Sequence, residues 1–324
     1  MSAPTRLLTH RIIELACLAP SVHNTQPWRW RIRNDHLIEL WADRDRQLRV
    51  ADPDGRNLAI SCGAALHQFM VAARALGAIP SVELTPRSGE PDLLAVIRLT
   101  PGRVEPDAAD SLEVLERRRT DRRRFTSWPI PESRLAHLTR AAAGWGAYAI
   151  PIVDVGARFH AELLLRRALI TQQSDERFAE EQRTWTGHSS VDGVPLPNAA
   201  PESRLATSDR PNRFAPETAA ETTDALVESS DGLVALCTVM DDQRSWLETG
   251  QVLSALWLRA TADGLSLVPL SQVIEVAETR HALQHEVFTG LAHPQILLRI
   301  GWQQISRASL DPSPRRPVSD VLLH

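Results

Sequence analysis

The sequence contains no lysine, since all 36 basic residues among its 324 are arginine. A protein Schiff base needs a lysine amine, so pyridoxal-phosphate enzymes and lysine-dependent aldolases are excluded. The phosphate-binding loop of the P-loop proteins also needs a lysine and cannot be completed. Any bound anion must therefore be held by arginine side chains, backbone N–H groups or helix N-termini.

Cysteines are few, and long apolar runs are absent. Cys17, Cys62 and Cys237 lie far apart and form neither a disulfide framework nor a C-x-x-C motif. No apolar run approaches the roughly 20 residues of a membrane span, and Glu14 interrupts the short apolar stretch near the N-terminus. A net charge of −4 also argues against a nucleic-acid partner. We expect a cytoplasmic protein that binds neither nucleic acid nor membrane.

Two long apolar helices are predicted, from about Leu58 to Leu76 and from Leu247 to Ala262, each followed by a glycine. Aligned at an offset of 187 positions, their glycines, leucines and alanines coincide at Gly63 and Gly250, Leu66 and Leu253, Ala73 and Ala260, and Gly77 and Gly264. The pattern predicts two copies of one α+β unit, near residues 6–105 and 112–310. Two unrelated buried helices could share the same small and large apolar positions.

The run Ala19-Pro-Ser-Val-His-Asn-Thr-Gln-Pro-Trp-Arg-Trp30 leads from the end of a predicted helix into a predicted strand. Loops so rich in hydrogen-bonding and aromatic side chains line ligand sites more often than cores. A capped turn over two buried tryptophans would explain the same composition. Both interpretations stand at this point.

Six of the nine residues from Arg117 to Phe125 are arginine. Because guanidinium groups bind phosphate in a bidentate manner, this run indicates a phosphate clamp. A solvated basic face or a nucleic-acid patch is the alternative. The acidic balance of the whole chain favours one focused anion site.

The C-terminal run from Pro312 to Val321 contains Arg315 and Arg316, and its apolar residues predict that it docks on the protein, although such tails are often disordered. His281 and His285 have the i, i+4 spacing of two zinc ligands. With no third candidate nearby, a solvated helix face is the favoured interpretation, and no metal is expected.

Together these runs resemble the flavin nitroreductase family, specifically its Acg-like, dormancy-associated actinobacterial branch. The resemblance covers nearly the whole chain in the right order. It rests on Ala19-Pro-Ser-x-His-Asn-x-Gln-Pro-Trp-Arg-Trp30, Asp54-Gly-Arg56, Cys62-Gly-Ala-Ala-Leu66, Arg118-Arg-Thr-Asp-Arg122, Gly250-x-x-Leu253 and Pro314-Arg-Arg-Pro317.

The resemblance implies an α+β, nitroreductase-like fold. Members of the family are typically homodimers that bind FMN between their subunits. Here residues 1–108 and 109–324 would be two fused halves of a pseudo-dimer, with central mixed or antiparallel sheets flanked by helices. The chain would be a monomeric pseudo-dimer or a weak homodimer.

One FMN site across the two halves is implied. Gln26 through Trp30 would contact the isoalloxazine and ribityl groups, and the arginine clamp and the C-terminal arginine pair would hold the phosphate. The implied cofactor-binding residues are Pro20, Ser21, His23, Asn24, Gln26, Pro27, Trp28, Arg29, Trp30, Arg118, Arg119, Thr120, Arg122, Arg315 and Arg316. No residue is assigned as a general acid or base.

The implied activity is that of an NAD(P)H nitroreductase, which passes a hydride from NAD(P)H through FMN to a nitroaromatic or quinone acceptor. A lid-like insertion can cover the flavin in this branch, and the segment at about 187–230 is predicted to be such a lid. The alternative hypothesis is therefore a non-catalytic stress or dormancy protein that binds or sequesters FMN.

Overall fold

A computed structural model describes residues 5–85, 87, 89–123, 125–194, 230–303 and 310–323. Its helices are α1 (Arg6–Ala16), α2 (Arg56–Ala75), α3 (Ala108–Arg117), α4 (Glu132–Ala141), α5 (Val155–Ser174), α6 (Glu176–Trp185), α7 (Gln243–Ala262), α8 (Gln272–Glu275), α9 (Ala277–Ala282) and α10 (Val318–Val321). Its strands are β1 (Trp28–Asn34), β2 (Leu37–Ala42), β3 (Ala78–Leu84), β4 (Leu93–Pro101), β5 (Tyr148–Pro151), β6 (Gly232–Thr238), β7 (Leu265–Leu270), β8 (His293–Trp302) and β9 (Leu322–Leu323).

The strands form two sheets with the same internal order. The first sheet runs β3-β4-β2-β1-β9, and the second, from its opposite edge, runs β7-β8-β6-β5. In both sheets the four strands that correspond to each other are all antiparallel to their neighbours. The additional strand β9 pairs parallel to β1, which makes the first sheet mixed. In each sheet a long helix, α2 or α7, joins the second strand to the third. The α+β class predicted from the sequence is confirmed.

Helices α2 and α7 pack directly against each other between the sheets. Gly63 and Gly250 meet at their crossing, and a Cβ atom on either would overlap the backbone of the other helix. One turn further along, His67 Nδ1 lies 3.0 Å from Ser254 Oγ. Both pairs are separated by the 187 positions found in the sequence alignment. Equivalent residues meet in this way at the axis of a two-fold assembly. The division into two fused nitroreductase halves stays a prediction.

The two sheets differ in the connection between their first two strands. Only Asp35 and His36 separate β1 from β2, whereas residues 152–231 lie between β5 and β6. This insertion begins with α5 and α6, and its next residues, 186–194, pack against the loop that precedes β1. Residues 195–229, which make up most of the predicted lid at 187–230, lie outside the described residues.

The C-terminal segment docks on the first sheet, as its apolar residues predict. Leu322 and Leu323 pair with Trp30 and Arg31, and Val321 is fully buried in the core of that sheet. The chain that follows the second sheet therefore returns to the first. This return brings Arg315 and Arg316 to the loop that precedes β1.

Helix α2 is, within the described ranges, the one helix long and apolar enough to cross a membrane. It is nevertheless a core helix, since 89% of its most apolar window is buried inside the protein. Its apolar composition is explained by packing on α7, α1 and the first sheet.

Candidate functional site

The loop that precedes β1 has an unusual backbone. His23, Asn24 and Gln26 have φ angles of +45°, +54° and +49°, in the left-handed region that side chains other than glycine seldom adopt. Such conformations persist only where surrounding contacts hold them, and they cluster at functional sites. Ser21 Oγ supplies one such contact by accepting a hydrogen bond from the Gln26 amide at 2.9 Å.

Asn24 ties this loop to two distant parts of the chain. Its side-chain amide donates to the Gly193 carbonyl at 3.0 Å and to the Pro314 carbonyl at 3.1 Å. Its Oδ1 accepts from Arg315 Nη1 at 3.1 Å. The loop, the insertion and the C-terminal segment therefore meet at one side chain.

Arg118 lies beside this meeting point and is almost completely buried. Its guanidinium stacks 4.7 Å from the Trp257 ring, and Nη2 donates to the carbonyl of Leu18 at 3.1 Å. Among the residues that the structure describes, no acceptor lies within hydrogen-bonding distance of its Nε and Nη1 atoms. A buried, charged donor without an acceptor costs several kcal/mol, on the order of the penalty for an unpaired buried ion.

Buried Arg118 and partly buried Arg315 repel each other electrostatically, and in the described part of the chain neither forms an ion pair with a carboxylate. Burial, and then the charge of Arg315, hold the pKa of the Arg118 guanidinium well below its ordinary value. Burial also lowers the pKa of Arg315 to about 10. Arg315 donates to the carbonyls of Leu18 and Ala19, which are neutral acceptors. An anion at this position would remove the repulsion between the two guanidinium groups.

These groups line a pocket that is open to solvent, here called the clamp pocket. Val194 and Ser313 complete a lining that otherwise consists of residues predicted from the sequence. Those predicted residues are Pro20, Ser21, Asn24, Arg118, Thr120, Arg122 and Arg315. A second pocket, the outer pocket, shares Arg118, Ser313 and Arg315 with it and adds Leu18, Glu116, Arg119 and Pro312. Arg119 therefore lines the outer pocket rather than the clamp pocket.

The indoles of Trp28 and Trp30 are core side chains. Both are fully buried, and Trp30 stacks on Phe69 with ring centroids 5.2 Å apart. The strand places these two residues on its inner face, and the predicted contact of Gln26 through Trp30 with the isoalloxazine and ribityl groups stays a prediction. The alternative interpretation of this part of the run, two tryptophans packed under a capped turn, is the one the structure supports.

The side chain of Gln26 is also unavailable to a ligand. Its Nε2 donates to the Val191 carbonyl at 2.8 Å, and its Oε1 accepts from the Arg316 amide at 2.9 Å. The residue is fully buried. The Gln26 side chain thus holds the insertion and the C-terminal segment in place.

Arg29 and Arg316 are neutralised by one carboxylate. Asp43 lies 2.9 Å from Arg29 Nε and 3.4 Å from Arg316 Nη1. The Asp43 amide in turn donates to the Pro27 carbonyl at 2.9 Å. Of the C-terminal arginine pair, only Arg315 lines the clamp pocket. His23 is buried in the loop and does not line this pocket either.

Several contributors to the site could not be found from the sequence. Val194 belongs to a segment without a motif, and the carbonyl of Leu18 acts through its backbone. Arg46 binds Asp192 and so fastens the insertion beside Thr25. Glu181 accepts hydrogen bonds from the amides of Val50 and Ala51, which fixes α6 on the first sheet's side of the site.

The remaining candidate chemistry lies elsewhere. The rings of His281 and His285 are 4.3 Å apart on an exposed helical turn. In the described part of the chain, no three histidine, cysteine or carboxylate side chains come together to hold a metal ion. Cys17, Cys62 and Cys237 are buried free thiols, and burial raises the pKa of Cys17 and of Cys237 to about 12.

Comparison with known proteins agrees with the motifs. Two relatives from Mycobacterium tuberculosis H37Rv bear the name "Putative NAD(P)H nitroreductase". The one designated Rv3131 is 38% identical over 316 residues, which is 96% of this chain and 90% of the relative. The one designated acg is 32% identical over 329 residues, which is 95% of this chain and 93% of the relative. No family model matches the chain.

Among solved structures, a nitroreductase with bound FMN from Desulfitobacterium hafniense matches with a TM-score of 0.41 and 12% identity, over 66% of this chain and 96% of that one. The full-length sequence relatives define the class, and the chain belongs to the NAD(P)H nitroreductase family. The resemblance stated from the motifs, including the acg relative, is confirmed.

Proposed function

We propose that the chain is an FMN-dependent NAD(P)H oxidoreductase of the nitroreductase type, and that the clamp pocket holds the flavin phosphate. One observation carries the assignment. A fully enclosed arginine, Arg118, has two donors without acceptors among the described residues, and it faces a pocket that three separate chain segments build. The relatives and the FMN-bound nitroreductase support the choice of ligand.

The residues of the pocket suit a phosphate monoester. Arg118 and Arg315 supply positive charge, and both are desolvated, which strengthens their attraction for an anion. Ser21 and Thr120 add hydroxyl groups, and Asn24 orients Arg315 by accepting a hydrogen bond from its Nη1. The absence of lysine from the chain is therefore no obstacle to phosphate binding.

The protein's part in the reaction is positional. When bound, the flavin would accept a hydride from NAD(P)H and deliver reducing equivalents to a nitroaromatic or quinone acceptor. Gln26 and Arg316 hold the loop and the C-terminal segment together, so that the pocket walls keep their places. No side chain is assigned as a proton donor or acceptor.

The test begins with the visible spectrum of the purified protein, followed by anaerobic addition of NADPH or NADH. We expect a flavin spectrum that bleaches and then recovers when a quinone is added. A colourless protein that cannot be reconstituted with FMN would remove the assignment. The ratio of flavin absorbance to protein absorbance should correspond to one flavin per chain. The loop before β1, the arginine run and the C-terminal arginine pair each occur once in the sequence.

A second candidate is a protein that binds FMN without turnover. The specific observation in its favour is the contact of residues 191–194 with the loop that lines the clamp pocket, made through Asn24, Gln26 and Arg46. A cover fastened in this way would restrict the approach of a nicotinamide. A yellow protein that resists bleaching by both nicotinamides would support sequestration.

A further inference from the structure

The outer pocket is not explained by a single phosphate in the clamp pocket. It shares Arg118, Ser313 and Arg315 with the clamp pocket. Arg119 reaches only the outer pocket. Arg118 and Arg315 therefore line both pockets, and Arg119 adds a third guanidinium to the outer pocket.

The donors of Arg118 point to two different ligands. A guanidinium is a rigid plane in which Nε shares one edge with Nη2, while Nη1 shares the other edge with Nη2. Here Nη2 already donates to the Leu18 carbonyl, and the donors without an acceptor in the described residues are Nε and Nη1. One bidentate phosphate engages a single edge. It would therefore satisfy one of these two donors and leave the other buried without a partner.

The charge of the outer pocket also suits an anion. Arg119 donates to the backbone carbonyl of Arg118 at 2.9 Å, which is a neutral acceptor. Glu116, the acidic residue in the lining, is exposed and lies 3.6 Å from Arg11, with which it forms an ion pair. Three guanidinium groups thus face one carboxylate that already has a partner. A phosphate, with about −1.5 to −2 charges near neutral pH, would balance them.

We propose that the outer pocket binds a second phosphate group next to that of the flavin, and that Arg118 bridges the two. The proposal rests on the proposed function only in assigning the clamp pocket to the flavin phosphate. The second group can come from a diphosphate flavin, FAD in place of FMN, or from separate inorganic phosphate. The chemistry that recognises it is the same in both cases.

The experiment uses the full-length protein and isothermal titration calorimetry in two arms. In the first arm, FMN-saturated protein is titrated with inorganic phosphate. In the second, flavin-free protein is titrated with FMN and with FAD in a phosphate-free buffer. Each titration is repeated with Arg119→Ala and with Arg117→Ala. Arg117 is the matched control because it is exposed and pairs with Glu113 at 3.1 Å, away from both pockets.

We expect either saturable binding of phosphate beside FMN or an affinity for FAD at least equal to that for FMN. Arg119→Ala should lower the affinity for whichever of the two ligands binds by about tenfold or more, the effect of losing a charged hydrogen bond. Arg117→Ala should leave that affinity unchanged. Phosphate binding identifies a separate anion, and FAD binding identifies a diphosphate ligand.

The proposal is overturned if phosphate does not bind beside FMN and FAD binds more weakly than FMN. It is also overturned if Arg119→Ala weakens FMN binding as much as it weakens binding of the second ligand, because that result would place Arg119 in the clamp pocket. If no flavin binds at all, the proposed function fails instead. The flavin-free protein is then titrated with pyrophosphate and with phosphate. Tighter binding of pyrophosphate that depends on Arg119 would retain the two-phosphate site, and equal binding would remove it.

Discussion

Replacement of Arg118 by methionine should separate ligand binding from stability. The side chain is 4% exposed, and two of its three guanidinium nitrogens lack an acceptor among the described residues. In the flavin-free protein the buried charge is therefore a cost that methionine removes, whereas an FMN phosphate would convert the same charge into a binding contact.

The magnitudes have opposite signs. Methionine loses the charged hydrogen bond to Leu18, about 1.5 to 3 kcal/mol, and the stacking on Trp257, about 1 to 2 kcal/mol. Relief of the unpaired buried charge is worth several kcal/mol. We therefore expect the free energy of unfolding of the flavin-free protein to change little or to rise. FMN affinity should fall by about 1.5 to 3 kcal/mol, or roughly 10- to 150-fold, the value of a charged hydrogen bond.

The assay combines fluorescence titration of FMN with urea unfolding of the flavin-free protein. Arg117→Met is the control, since its exposed pair with Glu113 is worth about 0 to 1 kcal/mol. If Arg118→Met lowers the free energy of unfolding by several kcal/mol and leaves FMN affinity intact, Arg118 is a structural residue and the reasoning is refuted.

Three further predictions concern the helix crossing, acid stability and the insertion. Gly250→Ala should lower the free energy of unfolding by about 1 to 3 kcal/mol or more in urea titrations, because its Cβ would overlap the Ile60 carbonyl; an unchanged midpoint would contradict the close crossing. Burial lowers the pKa of His67 from 6.5 to about 3, so the neutral ring stabilises the fold above pH 6.5. As the pH falls from 6.5 towards 3, the free energy of unfolding decreases by up to about 1.4 kcal/mol per pH unit. His67→Gln should remove this part of the decrease. Identical plots of unfolding free energy against pH for the two proteins would contradict the prediction. Asp192→Asn breaks the ion pair with Arg46 and should speed the bleaching of bound flavin by NADPH in stopped-flow measurements if the insertion restricts access; an equal rate in both proteins would show that this contact does not limit access.

The sequence motifs identified the chemistry of the site better than the direction of its side chains. Seven residues of the clamp pocket were predicted, since loop composition and arginine spacing reflect what an anion needs. The two tryptophans could have been placed correctly by strand alternation, which puts Trp28 and Trp30 on one face and Arg29 on the other. The role of Gln26 was out of reach, because its partners lie 165 and 290 positions away in the chain.

The fold was predictable where burial left a periodic pattern. Helices α2 and α7 have long apolar faces, and their glycines lie at the crossing that the alignment indicated. Helix α6 left a weaker pattern, because it is short, none of its residues is fully buried, and only Phe178, Ala179 and Trp185 are apolar. Glu181 positions it by accepting hydrogen bonds from the backbone amides of Val50 and Ala51, which lie between β2 and α2.

The clamp pocket breaks the internal similarity of the two sheets. The sheets share one strand order, and equivalent residues meet where α2 crosses α7. The pocket, however, combines a loop before the first sheet, an arginine run before the second and a C-terminal segment that returns to the first. Each of these three segments occurs once in the sequence, so the sequence offers one such pocket. The insertion between β5 and β6, whose residues 191–194 contact the loop before β1, likewise has no counterpart between β1 and β2, where two residues close the turn.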